Sequence, residues 1–252
     1  MTTSQRHAAL TDRGRVSDHN EDAYAVDDDL WVVADGMGGH AGGEIASQVA
    51  VDAVVRMAGG GAVGRSADVQ GLLEDAVAAA RGAVVDRSRQ DPATVGMGTT
   101  LVVAARSGDG QLVVAWVGDS RAYLLVDGDL VALTSDHNVA QEMVDLGMIT
   151  LEQARTHPGQ YRITRAITDD PQSEATPGVA VVPAAGRLLL CSDGLNGELE
   201  DSRIAALLAD HDPGTASRAL HAACGFELVG IERQVGRKLN RWLDVAVMQL
   251  LL

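Results

Sequence analysis

From Tyr24 to Ala34 apolar and polar positions alternate around the polar Asp27-Asp28-Asp29, which predicts two strands joined by a hairpin, with Asp35 at the end of the second. After a glycine-rich loop, Gly36 to Gly43, the apolar residues Ile45, Val49, Ala53 and Met57 recur at helical spacing. A second helix is predicted over 68–88 from the stripe Leu72, Leu73, Ala76, Val77, Ala80 and Val84, and Gly59-Gly60-Gly61 between the two suggests an antiparallel pair. From Gly98 to Thr134 the pattern changes to three strands in an antiparallel meander, turned at Ser107-Gly108-Asp109-Gly110 and Asp127-Gly128. Short helices are expected over 138–155, irregular chain over 156–178, a strand over 179–192, helices over 202–210 and 214–224, and a final strand over 245–252. Strands and helices fall in blocks instead of alternating one for one. That grouping points to an α+β sandwich and away from a parallel doubly wound sheet.

Three apolar runs share one ending. Leu30 to Gly36, Leu112 to Asp119 and Leu188 to Gly194 each carry an aspartate beside a glycine where the run stops. A single Asp-Gly is more simply a turn. Three of them, with Asn20-Glu21-Asp22 upstream, read as a carboxylate metal site, because glycine lets an ion approach the backbone closely and oxygen-only ligands suit Mg²⁺ or Mn²⁺ better than zinc.

A net charge of −15 argues against general binding to nucleic acid or anionic membrane surfaces, since both would repel the chain. The two cysteines, Cys191 and Cys224, lie in a strand run and a helical run and form neither a disulfide framework nor a zinc knuckle, in keeping with a reducing cytoplasm. No apolar stretch approaches the roughly 18 residues that span a bilayer, and Met1 to Leu10 lacks the apolar segment of a signal peptide. With no linker in 252 residues, one domain is expected over 1–252, as a monomer by default.

Read in order, Thr11-Asp12-Arg13-Gly14, Asn20-Glu21-Asp22, Asp35-Gly36-Met37-Gly38-Gly39-His40, Gly98-Thr99-Thr100, Gly118-Asp119-Ser120-Arg121, Asp136-His137-Asn138, Thr164-Arg165-Ala166 and Cys191-Ser192-Asp193-Gly194-Leu195 closely resemble the bacterial branch of the metal-dependent protein phosphatases, type 2C. The resemblance implies a four-layer α-β-β-α sandwich with two central antiparallel sheets and a binuclear Mn²⁺ or Mg²⁺ site at one edge. It implies that Asp35 bridges the two ions, that the Gly36 carbonyl is a further ligand, that Asp22 and Asp193 each hold one ion, that Glu21 acts through bound water and that Asp119 serves a weak third ion. The activity implied is hydrolysis of phosphoserine and phosphothreonine in proteins by attack of metal-bound hydroxide, opposing a bacterial Ser/Thr kinase and acting on that kinase's substrates.

Several positions depart from the family pattern. The arginine that grips substrate phosphate is replaced by Ser17, leaving Arg15 or Arg13 as a substitute or as a solvated surface charge. Gly197 stands where an aspartate is usual. The closing Asp-Asn becomes Leu243-Asp244-Val245, so Asp244 is a ligand in one of two registers or else a surface residue, and the atypical segment 225–241 suggests an inserted helix. These departures motivate an alternative, a pseudophosphatase or phosphoprotein-binding scaffold. His40 is a candidate general acid in place of the missing loop histidine, with a structural role the competing reading, and His137 reads as a packing and capping residue. A flap is expected over 137–178. Between Glu152 and Asp169 it carries no acidic residue but holds Arg155, His157, Arg162 and Arg165, which form either a positive lip for a phosphorylated peptide or structural ties to the acidic body.

Overall fold

A computed structural model describes residues 7–11, 19–38, 42–224, 236–238 and 241–243. In chain order the elements are β1 (Asp22–Val26), β2 (Leu30–Met37), α1 (Gly42–Ala58), α2 (Ala62–Arg65), α3 (Val69–Gln90), β3 (Gly98–Thr99), β4 (Leu101–Arg106), β5 (Gln111–Val117), β6 (Arg121–Val126) and β7 (Asp129–Ala132). They continue as α4 (Val139–Asp145), α5 (Leu151–Ala154), β8 (Ile167–Thr168), β9 (Gly178–Pro183), β10 (Arg187–Cys191), α6 (Asp193–Asn196), α7 (Asp201–Asp210), α8 (Pro213–Ala223), β11 (Gly236–Lys238) and β12 (Arg241–Leu243).

The first sheet runs β8-β3-β2-β4-β5-β9 with β1 also paired to β2, and the second runs β10-β6-β7; every pairing is antiparallel. Period-two alternation divides the strand side chains between two cores. Leu101, Val103 and Ala105 of β4 and Val113, Ala115 and Val117 of β5 pack against α1 and α3, while Val102, Ala104, Val114 and Trp116 face Ala122 and Leu124 of the second sheet. On the far side Tyr123, Leu125 and Cys191 pack with Ile204, Leu207 and Leu208 of α7 and Leu220 of α8. The layers are therefore helix pair, sheet, sheet, helix pair. Both sheets are apolar on both faces because each is covered twice.

Several expectations change. The stretch 98–134 is not one meander of three strands: β3 precedes the β4–β5 hairpin, and Gly118-Asp119-Ser120 carries the chain across to the second sheet before the β6–β7 hairpin. The run 179–192 is two strands in different sheets, because Pro183 ends β9 and Gly186, at φ 93°, turns the chain onto β6. Asp35 is not at a strand end, since β2 continues through Gly36 to Met37 by pairing with β3. Of the segment 225–241, where an inserted helix is expected, 225–235 and 239–240 lie outside the described residues, while β11 and β12 form an antiparallel hairpin. The expected final strand over 245–252 lies outside the described residues.

Candidate metal centre

Asp22 opens β1 directly opposite Asp35 of β2, so two carboxylates face each other across one antiparallel pair. Asn20 sets up that start, accepting the Asp22 N–H (3.1 Å) while its own amide donates to Thr11 (2.6 Å). The Asp35 backbone is clamped by Thr99 and Thr100: its N–H donates to Thr100 Oγ1 (3.0 Å), and its carbonyl accepts from Thr99 Oγ1 (2.9 Å) and Thr100 N–H (2.8 Å). Asp193 comes from the other sheet, as the first residue of α6 just past β10, and the preceding Ser192 donates to Asp22 Oδ2 (3.0 Å). Asp119 lies buried in the crossing between β5 and β6. The ends of β1, β2, β5 and β10 thus bring four carboxylates from across the sequence to one end of the sandwich.

Their protonation shows how closely they are held. Burial pushes Asp22 up to about 7, with Asp193 adding repulsion. Asp119 rises to about 7 from burial and from the charges of Asp193 and Asp136. Asp35 is raised furthest above its ordinary range, by burial and then by Asp22, Asp193 and Asp119, and its side chain shares hydrogen bonds with both Asp22 and Asp193. Asp193 and Glu21 are raised chiefly by burial. In each case burial outweighs the partners that favour the charged form.

The donor set fits hard divalent cations. Asp22 Oδ1 is buried and has no hydrogen-bond partner among the described residues. Beside it, a Cβ on Gly36 would collide with the Gly43 carbonyl and come within 2.6 Å of the Glu21 carbonyl oxygen, so only glycine lets these backbone segments pack this closely. No group of three His, Cys, Asp or Glu among the described residues is gathered round a single point. The carboxylates are instead linked in pairs, Asp22 to Asp35 and Asp35 to Asp193.

Other groups have plainer duties. Arg155 pairs with Glu200 (2.8 Å) and Asp201 (3.7 Å), Arg165 with Glu174 (3.7 Å), and His157 Nδ1 accepts the Gly159 N–H (3.0 Å) at the head of a short 3₁₀ turn. Arg162 is exposed and in no ion pair among the described residues. Arg15, Ser17, His40 and Asp244 lie outside the described residues. Sequence reasoning missed Ser192 as the anchor of Asp22, a contact 170 residues apart along the chain. It also missed Ser47, whose hydroxyl donates to the Glu21 carbonyl (2.6 Å). The bidentate Arg121–Asp136 pair (2.7 and 2.8 Å) places a guanidinium that lowers both Asp119 and Asp193. Cys191 is pushed up to about 12 by burial, which rules out a resting thiolate nucleophile there. A cavity of about 500 Å³ opens between the sheets, but the walls formed by Val33, Leu112, Leu124, Leu188 and Leu190 offer no carboxylate.

The sequence model described as protein phosphatase 2C matches residues 11–244. The Ser/Thr protein phosphatase PstP of Mycobacterium tuberculosis is 40% identical over 204 residues, which is 81% of this chain and 39% of that protein. This chain therefore spans about two fifths of that relative's length. The Ser/Thr phosphatase stp of Listeria monocytogenes is 36% identical over 207 residues, covering 79% of this chain and 81% of that one. Among solved structures, the catalytic domain of PstP in complex with two manganese ions superposes with a TM-score of 0.77 at 36% identity, over 87% of this chain and 90% of that one.

Proposed function

The chain belongs to the protein phosphatase 2C family, and from that premise we propose that it hydrolyses phosphoserine and phosphothreonine in proteins, opposing a Ser/Thr kinase. In this reading Asp35 would serve two Mn²⁺ or Mg²⁺ ions, Asp22 and Asp193 would hold one each, the Gly36 carbonyl and Asp244 would complete the set, Glu21 would act through water and Asp119 would hold a weaker third ion. When bound, such a pair lowers the pKa of a water molecule and draws charge from phosphoryl oxygens. The chain's own part is positional. Ser192 and the Thr99–Thr100 clamp fix the carboxylates before any ion arrives, so little reorganisation is left for binding. On the flap, exposed Arg162 forms no ion pair among the described residues and would meet an anionic phosphopeptide, whereas Arg155 and Arg165 are already committed to acidic partners. Arg15 or Ser17 would supply the nearer phosphate contact, and His40 a proton for the leaving oxygen.

The observation that carries this reading is the buried, mutually repelling set Asp22, Asp35 and Asp193 with Asp22 Oδ1 left without a partner. The test is phosphate release from a phosphothreonine peptide against Mn²⁺ concentration, with Asp35→Asn and Asp193→Asn alongside. Mn²⁺-dependent release that both substitutions abolish supports it. Peptide binding without turnover in millimolar Mn²⁺ would instead identify a phosphoprotein scaffold.

A further inference from the structure

We propose that His137 is a positioning residue, the joint that fastens the flap to the turn presenting Asp119. Its ring Nδ1 accepts the Gly118 N–H (3.1 Å) while its own backbone N–H donates to the Gly118 carbonyl (2.9 Å), so both polar groups of one residue are gripped by one partner. The ring lies against Trp116, centroids 6.0 Å apart and planes 16° from parallel, and the Trp116 indole N–H donates to the Ser135 carbonyl (2.8 Å). On its other side His137 takes part in closing the flap. Its carbonyl accepts from Thr164 N–H (2.8 Å), Asn138 bridges Ile163, and Val139 N–H donates to the Arg162 carbonyl (3.0 Å). The start of the flap is therefore tied at His137 to the stretch 162–164 inside it, and the tie is bolted to Gly118.

Gly118 can take no other residue's shape. Its φ is 106°, and a Cβ there would stand 2.7 Å from the Thr100 side chain, which is itself bonded to Ser120 (2.7 Å). The turn is thus held by Thr100 from the first sheet and by His137 from the flap, and Asp119 is the next residue. Movement of the flap root is passed to Asp119 through the His137 imidazole and backbone N–H together, which gives the flap a route to the ion site without touching an ion.

The activity arm of the test rests on Asp119 acting as an ion ligand in the reading above; the exchange arm does not. Two variants separate ring packing from the acceptor. His137→Phe keeps the stack on Trp116 and removes the acceptor, and His137→Asn restores an acceptor near the Nδ1 position. In His137→Phe, amide hydrogen exchange is expected to rise together in segments 112–121 and 138–165 and stay unchanged in α1 and α3. The Mn²⁺ concentration for half-maximal activity is expected to rise about fivefold, the usual effect of one lost buried hydrogen bond, with kcat at saturating Mn²⁺ within about twofold. His137→Asn should recover most of both. Exchange that rises in only one segment, or an Asn variant as impaired as the Phe variant, would overturn the proposal. Should the Phe variant not fold, ¹⁵N spectra of the wild-type imidazole decide: an unprotonated Nδ1 coupled to the Gly118 amide supports the joint, and a protonated Nδ1 at pH 7.5 refutes it. A wild-type protein without Mn²⁺-dependent turnover would count against the phosphatase reading alone, leaving exchange to judge the joint.

Discussion

Asp35 touches both Asp22 and Asp193, and the cost of ionising it in a buried site falls on the folded state alone. Removing that charge should therefore stabilise the metal-free protein. Asp35→Asn is expected to raise the unfolding free energy without divalent ions by about 1–2 kcal/mol, the range of gains at strained functional sites. It should also erase the rise in Tm that Mn²⁺ gives the wild type. Calorimetric scans with EDTA and with Mn²⁺ check both halves, and a destabilised apo variant would argue that Asp35 is a satisfied structural residue. The sequence made these aspartates legible because each stands beside an apolar strand run, and for Asp35 and Asp193 a glycine adjoins the carboxylate. It could not reveal Ser192 bonding to Asp22, since nothing local in Cys191-Ser192-Asp193 says which distant side chain the hydroxyl meets.

At the scale of elements, α3 is tied to the chain leaving β8 by Asp169. Its carboxyl is held below the ordinary range first by the hydrogen bond from the Ser88 hydroxyl, against partial burial, and then by the Gly96 N–H (3.2 Å). Arg81 on the same helix donates to the Ser173 carbonyl (3.0 Å). A depressed folded pKa means that this stabilisation is complete above the unfolded value near 3.9 and fades as pH falls through the lower folded value. Ser88→Ala should cost about 1 kcal/mol at pH 7. The gap in Tm from wild type should narrow toward pH 3, and a gap that widened on acidification would contradict the sign. The helices, the hairpins at Ser107–Gly110 and Asp127–Gly128, and their order were readable from period and turn residues. The change of sheet at Gly118 and at Gly186 was not. A glycine in a turn looks the same whether the next strand pairs with the last one or leaves it, and only packing between layers decides.

Taken whole, the molecule concentrates part of a −15 charge at one end of the sandwich, where four buried carboxylates meet. Monovalent salt screens exposed charges over about 10 Å at 0.1 M but hardly reaches buried ones. Raising NaCl from about 50 to 300 mM should lift the apo Tm by only a few degrees, whereas Mn²⁺ well below millimolar should lift it further; equal effects would mean that the destabilising charge lies on the surface. No helix among the described residues is long and apolar enough to cross a membrane. The family resemblance, carried by ordered short motifs, implied the four-layer plan, and the block pattern agreed with it. What the motifs did not contain was the joint at His137, because Asp136-His137-Asn138 reads as a helix start until Gly118 is seen across from it.

The pairing of Asp22 with Asp35 sets an alignment as well as a site. Sliding β1 by a single residue along β2 would turn Asp22 to the opposite face of the sheet and part the two carboxylates. A cation that rewards their union therefore also proofreads the hairpin, favouring the one alignment in which it can be chelated and leaving a misthreaded chain unable to retain it.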